Sequence, residues 1–301
     1  PCPGAASRIA AMLLALLRSL RPAQWTKNLF VLVPLLFAGR LSDPAAVGAA
    51  LLAFASFSAA ASAVYLFNDL RDRERDRAHP LKRHRPLASG RLSPAVAAVA
   101  ALLLAAAAAA VAVRLGVAFG LALGAYLAIN LLYTLALKRL VILDVMAIAA
   151  GFLLRVLGGA AAIPVAVSPW LLLCTGFLSL FLGFSKRRHE LLLSPDATGG
   201  REVLAHYSPA FLDQMINVVT ASTVVCYALY AVDAQTVAKF GSERLILTLP
   251  MVLFGIFRYL YLAYQVSDPR SPTDAILTDL PFLANLLLWA ATAAAIVYAA
   301  P

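Results

Sequence analysis

The chain has 301 residues, of which 62% are hydrophobic and only 13% charged, with a mean hydropathy of +0.84 and a formal net charge of +10. That balance excludes a soluble globular domain and places the chain in a bilayer. The basic excess does not require a nucleic-acid partner, because lysines and arginines orient membrane proteins and attract anionic lipid.

The apolar run after Arg8 is followed by Arg18, Arg21 and Lys27, with no small-residue cleavage site, so an interfacial helix is expected over 8–20 and not a cleaved leader. A spanning helix needs roughly 20 mostly apolar residues. Such stretches fall at 25–40, 45–68, 94–113, 116–137, 141–163, 168–185, 209–232, 245–266 and 281–300, which predicts nine spans. The runs are continuous and rich in alanine and leucine, so the expected fold class is all-α, a polytopic bundle and not a closed barrel of short alternating strands. Residues 101–112, almost entirely alanine, leucine and valine, suit close helix approach. Of the cysteines, Cys2 is terminal while Cys174 and Cys226 lie in spans, which gives neither a disulfide framework nor zinc spacing.

Nine spans make the connecting segments alternate sides. One set holds Arg8, Arg18, Arg21, Lys27, the basic residues from Arg71 to Arg91, Lys138, Arg139, Lys186, Arg187, Arg188, Arg201 and Arg270. The other holds only Arg40, Arg114, Lys239 and Arg244. This bias puts the charged loops in the cytoplasm. The reading is one transmembrane domain over 1–301 in an inner (plasma) membrane, with 69–93 as a cytoplasmic charged segment.

Within the most basic segment lies Asn68-Asp69-Leu70-Arg71-Asp72-Arg73-Glu74-Arg75-Asp76. If the helix continues to residue 76 at about 100° per residue, then from Asn68 as origin Asp72 lies at about 40°, Asp76 at about 80° and Asp69 at about 100°. The basic residues fall outside that arc. Three carboxylates and an amide oxygen on one face repel unless a cation or a set of basic groups neutralises them. Mg²⁺ suits such a face, because it prefers one or two carboxylates, waters and phosphate oxygens to a full protein cage. The ligand implied carries a diphosphate. The plainer alternative is a solvated helix end whose acids pair with arginines.

Asn68-Asp69-x-x-Asp72-x-x-x-Asp76 resembles the NDxxDxxxD signature of the UbiA superfamily of intramembrane prenyltransferases. The resemblance implies nine helices around a central cavity open to the cytoplasmic side, with Mg²⁺ on Asn68, Asp72 and Asp76 and with Asp72 and Asp76 catalytic. Most members carry a second aspartate-rich motif after the sixth span. This chain has Ser185-Lys186-Arg187-Arg188-His189-Glu190 there, so cations would meet phosphate directly, arginine by its planar fork and lysine as a point charge.

A fuller pattern is similar to the decaprenyl-phosphate phosphoribosyltransferase branch. Its stretches are Arg21-Pro22-x-Gln24-Trp25-x-Lys27-Asn28, His79-Pro80-x-Lys82-Arg83-His84-Arg85-Pro86, Tyr133 with Lys138, Leu143-Asp144, Lys186 to Leu191, Arg258-Tyr259 and Pro272-Thr273-Asp274. The resemblance implies transfer of 5-phosphoribosyl from phosphoribosyl diphosphate (PRPP) to a polyprenyl phosphate, releasing diphosphate. Lys27, Asp69, Lys82, Arg83, Tyr133, Lys138, Asp144, Arg155, Lys186, Arg187 and Arg258 are the expected substrate-binding residues.

Asp144, Gly151, Arg155 and Gly158 recur at helical spacing as a polar, small-residue stripe. Arg155 and Arg258 lie at membrane depth, where ionisable groups face a cavity or each other. Either substrate binding or a structural ion pair satisfies them. Tyr133 and Lys138 share a site only if the helix ends between them or the lysine snorkels back. Two rival functions stay open: a prenyltransferase moving a polyprenyl chain onto an aromatic acceptor, and an anion transporter. A homo-oligomer is also left open.

Overall fold

The computed structural model describes residues 5–79, 82–193, 202–265 and 278–298, with side chains from residue 10 onward. Cys2, Pro80, Arg201, Arg270 and Pro272-Thr273-Asp274 lie outside the described residues. Among those described, every regular element is a helix. They are α1 (Ala5–Leu20), a 3₁₀ stretch Pro22–Leu32, α2 (Val33–Phe37), α3 (Pro44–Arg71), α4 (Arg73–Ala78), α5 (Pro94–Leu115), α6 (Val117–Leu135), α7 (Leu143–Ala162), α8 (Pro169–Leu193), α9 (Pro209–Val232), α10 (Ala234–Phe240), α11 (Leu249–Gln265) and α12 (Leu280–Tyr298).

Helix starts follow local chemistry. Asp43, Ser93 and Ser208 cap α3, α5 and α9 by accepting from backbone N–H groups, and each is followed by a proline at the first helical position. Gly116, at φ 98°, ends α5 and lets α6 begin one residue later. Eight helices among the described residues are long and apolar enough to cross a membrane, so this is a multi-span membrane protein.

The ninth expected span, 25–40, differs. It is the 3₁₀ stretch Pro22–Leu32 running into the five-residue α2, with Pro34 near the start of α2. In a continuous α-helix over 25–40 Pro34 would be interior and would lack the N–H needed there, whereas in the first turn of α2 it costs nothing. Trp25 and Asn28 spend their side chains on Ser62 and Ser58 of α3. At about 2.0 Å per 3₁₀ residue and about 1.5 Å per α residue, Pro22–Phe37 extended in one line measures about 30 Å, close to the hydrocarbon thickness.

The chain divides into two units. The first comprises Pro1–Leu135 with Leu154–Val165, the second Ala136–Leu153 with Ala166–Pro301, so α7 contributes to both. In the first unit Phe57 of α3 meets Phe119 edge-on at 5.8 Å and Tyr126 at 5.3 Å, surrounded by Val31, Ala53, Ala60, Ala61 and Ala108. Alanine on both α3 and α5 lets their backbones approach until Ser56 Oγ donates to the Ala108 carbonyl at 3.2 Å. Ala101 and Leu104 pack toward the Leu66 cluster and Ala112 toward Phe57, while Leu102 and Leu103 on the opposite face are exposed, as a lipid-facing surface demands.

A smaller cluster of Ala15, Leu66, Leu87, Leu92 and Ala97 fastens α1 and the 85–92 loop to α3 and α5. Gly159 of α7 is required for packing: a Cβ there would fall 1.9 Å from the Val31 carbonyl oxygen. In the second unit Phe181 of α8 packs on Tyr259 of α11 at 4.8 Å, among Val145, Phe184, Leu212, Ile216 and Ile256.

Candidate active site

The expected continuous helix through residue 76 is interrupted at Asp72, which closes α3 and opens α4 with φ −91° and ψ 7°. The hydrogen-bond ladder nonetheless crosses the break, from Asp72 N to Asn68 O at 2.9 Å and from Asp76 N to Asp72 O at 2.8 Å. The angular sorting of the acids therefore survives a local kink. Asp69 and Asp76 are both buried. Arg85 Nη1 donates to Asp69 Oδ1 at 3.1 Å and to Asp76 Oδ2 at 2.7 Å, and Arg21 Nη2 donates to Asp69 Oδ1 at 2.5 Å.

Asp72 is different: its carboxylate makes no hydrogen bond or ion pair among the described residues. Asn68 Oδ1 lies 3.0 Å from the Thr134 hydroxyl, whose proton has the Asn130 carbonyl at 2.9 Å as its other acceptor. The Asn68 oxygen thus keeps capacity for a cation.

No set of three His, Cys, Asp or Glu side chains among the described residues converges into a protein cage. The oxygens present are the Asn68 amide, the Asp72 carboxylate and Asp76 Oδ1. They fit a hard ion that retains waters and takes phosphate oxygens, and they do not fit zinc, which wants thiolate or imidazole.

The Arg21–Asn28 segment owes its geometry to the same unit. Pro22 disfavours the right-handed helical region in Arg21, so α1 ends at Leu20, and Arg21 itself adopts a left-handed backbone, φ 54° and ψ 60°. Its guanidinium lies 4.8 Å over the Tyr65 ring and reaches Asp69. Trp25 Nε1 donates to Ser62 Oγ at 3.0 Å, and Ser62 Oγ donates to the Leu20 carbonyl at 3.1 Å. Asn28 Nδ2 donates to Ser58 Oγ, while Arg155 Nε donates to Asn28 Oδ1 at 2.7 Å and Arg155 Nη2 to Tyr126 Oη at 3.1 Å. Arg155 is thus held in a buried polar network. Lys27 is half-buried, whereas Lys82 and Arg83 stand exposed in a 3₁₀ turn, Lys82–His84. Tyr133 is half-buried near the end of α6.

In the second unit Arg187 is fully buried, with Nε 2.5 Å from Asp144 Oδ2 and Nη1 2.7 Å from Glu190 Oε2. Asp144 Oδ1 accepts from Tyr207 Oη at 2.7 Å, and that same Tyr207 oxygen accepts from Ile142 N at 2.7 Å. Ile142 is a β-branched residue at φ 68°, a rare conformation for its type, so Tyr207 braces the strained entry to α7. Burial pushes the Tyr207 hydroxyl pKa up, and its hydrogen bond to the Asp144 carboxylate adds to the rise.

Arg188 Nε meets Asp213 Oδ1 at 2.5 Å and its guanidinium lies 3.8 Å over the Tyr264 ring. Arg258 grips Asp279 through two hydrogen bonds, 3.1 and 2.8 Å, which hold the Asp279 carboxyl below the usual carboxylate range. α6 ends at Leu135 and Lys138 follows in a separate 3₁₀ turn, Leu137–Arg139, where it is half-buried, as is Lys186 on α8. Ser185 Oγ and His189 Nε2, one turn apart on α8, are buried with no hydrogen-bond partner among the described residues.

Sequence reasoning did not select Arg21, Arg85, Thr134, Tyr207, Ser185 or His189 as site residues. Arg21 and Arg85 lay inside quoted motifs, but only packing reveals which carboxylates they meet. The serine and histidine carried a signal in their four-residue spacing, which puts both on one helix face.

Comparison with known proteins gives consistent results. The UbiA prenyltransferase family model matches residues 28–289. A Corynebacterium glutamicum protein named decaprenyl-phosphate phosphoribosyltransferase is 34% identical over 294 residues, covering 95% of this chain and 87% of its own. A Mycobacterium tuberculosis protein of the same name is 33% identical, covering 96% of each chain. Among solved structures, a UbiA homolog from Archaeoglobus fulgidus bound to GPP and Mg²⁺ superposes with a TM-score of 0.72 at 21% identity, over 94% of this chain and 99% of its own.

Proposed function

Since the chain belongs to the UbiA prenyltransferase family, we propose that it transfers 5-phosphoribosyl from PRPP to a polyprenyl (decaprenyl) phosphate, releasing diphosphate, for arabinan cell-wall precursor synthesis. The observation that carries this reading is that relatives about one third identical over nearly the whole chain bear the name of that transferase. Of the cations at 186–188, Lys186 is the one that agrees with an anionic donor and acceptor, because Arg187 is fully buried on Asp144 and Glu190 and Arg188 is paired with Asp213.

In this reading Asp72 and Asp76 would hold Mg²⁺ with the amide oxygen of Asn68. When bound, the ion supplies Lewis-acid withdrawal of charge from the diphosphate. Asp69 keeps Arg21 and Arg85 oriented over the same acids. Lys27, Lys82, Arg83, Tyr133, Lys138 and Lys186 serve as contacts for phosphate groups. Ser185 and His189 offer a hydroxyl and an imidazole suited to ribose hydroxyls. Asp144, Arg155, Arg187 and Arg258 act through the groups they hold, because each is engaged in the ion pairs and hydrogen bonds described above.

The bond from ribose C1 to the diphosphate oxygen breaks with its electron pair leaving on diphosphate, and a bond from C1 to an acceptor phosphate oxygen forms. That oxygen is already anionic at neutral pH, so no general base is required. We place the protein as one functional domain in the plasma membrane, its charged loops cytoplasmic, following the uneven distribution of lysine and arginine.

The test is incubation of purified protein with Mg²⁺, labelled PRPP and polyprenyl phosphate. A labelled lipid is expected. Activity that requires a prenyl diphosphate and ignores PRPP would replace this reading with prenyl transfer to an aromatic acceptor.

A further inference from the structure

Arg85 is placed with unusual definition for a loop residue. Pro86 follows it and biases it toward extended backbone, Ser89 N donates to its carbonyl at 2.9 Å, and the buried Leu87 and Leu92 pin the loop into the cluster around Leu66. Its side chain is 32% exposed, yet it reaches two carboxylates that are 4% and 5% exposed. One guanidinium nitrogen bridges both. It occupies Asp76, which the proposed function makes a ligand of Mg²⁺, while Asp72 beside it holds no partner among the described residues.

We propose that Arg85 is the resting counter-ion of the metal site, that it competes with the divalent cation for Asp76, and that it is released by transferring its hydrogen bonds to the donor's diphosphate. The exchange balances charge. Without substrate, Arg85 and Arg21 together neutralise Asp69 and Asp76. An incoming diphosphate offers Arg85 oxygens in the planar, forked arrangement that guanidinium prefers, and Asp76 becomes free for the cation. Metal and diphosphate then bind as a coupled pair, and the cation alone binds weakly. This rests on the metal assignment made above.

The experiment measures Mn²⁺ binding to the full chain in detergent by electron paramagnetic resonance, with and without inorganic diphosphate. Wild type should gain about tenfold or more in Mn²⁺ affinity from diphosphate, and Arg85→Gln should bind Mn²⁺ alone about tenfold more tightly than wild type while losing that gain. Arg85→Lys keeps the charge and should retain part of the coupling, which also guards against Arg85→Gln failing to fold. The proposal is overturned if Arg85→Gln weakens Mn²⁺ binding, which would make Arg85 a structural brace, or if both variants leave affinity and coupling within about twofold of wild type. No saturable Mn²⁺ binding to wild type with diphosphate would remove both this proposal and the metal assignment. Coupling as expected without any labelled lipid from PRPP would leave Arg85's role standing and remove the phosphoribosyl reading alone.

Discussion

Arg187 Nε lies 2.5 Å from Asp144 Oδ2, and neither side chain has any solvent exposure. Removing one partner of such a pair leaves the other charge buried and uncompensated, whereas apolar replacement of both removes the problem. Arg187→Leu alone is therefore expected to cost roughly 3–5 kcal/mol of stability. The double variant Arg187→Leu, Asp144→Leu should recover part of it, the remainder reflecting Glu190 and Tyr207, which lose their bonds to the pair. Unfolding in detergent, followed by the loss of helical signal, checks this. A single variant as stable as wild type would show the pair to be of little structural consequence.

Asp72 and Asp76 should separate on two measurements. Asp72 has no ion pair among the described residues, so Asp72→Asn is expected to leave metal-free thermal unfolding within about 0.5 kcal/mol of wild type. Transfer to lipid should nonetheless fall by about 10²-fold or more. Asp76→Asn takes a carboxylate from Arg85 as well, so it should lose activity and about 1–3 kcal/mol of stability. Equal stability loss in both variants would contradict the partner assignment.

Two glycines offer a matched pair. Gly159→Ala places a Cβ against the Val31 carbonyl, where backbone must move, and a destabilisation of at least about 1–3 kcal/mol is expected. Gly48 of α3 has nothing within 4 Å of an added Cβ, so Gly48→Ala should stabilise the helix by up to about 1 kcal/mol. Parallel melting curves decide between them.

The Arg258–Asp279 pair makes a pH prediction with a definite sign. Hydrogen bonding to Arg258 lowers the Asp279 pKa from its ordinary 3.8 in the folded protein. A depressed carboxylate pKa gives stability that is fully present above the unfolded pKa and is lost as pH falls through the folded one. Stability measured downward from neutral pH should therefore begin to fall in the ordinary carboxylate range and continue below it. Asp279→Asn should flatten that part of the profile. An unchanged acid limb in the variant would show that other carboxylates set it.

Much of the fold was legible because hydropathy, span length and helix capping are local. Eight apolar runs appear as spanning helices, seven of them within a few residues of their predicted ends, while α8 continues past the expected 185 to Leu193 and carries the 185–190 cations on its last turns. The stretch at 25–40 departs because its polar side chains, Trp25 and Asn28, find partners on α3, and no window of local hydropathy records such partners. The acidic face at 68–76 was likewise readable, and the kink at Asp72 altered its backbone without undoing the i to i+4 ladder.

By itself, then, the sequence determined the helical, membrane-spanning class, the one-sided grouping of Asn68, Asp69, Asp72 and Asp76, and the motifs of the family. The tertiary structure decided which charge neutralises which. Arg21 meets Asp69 across 48 positions and Arg187 meets Asp144 across 43. Periodicity within one helix cannot pair residues so far apart along the chain. Those pairs form only once packing brings separate segments together, where burial makes an uncompensated charge costly and each buried acid is matched to a base.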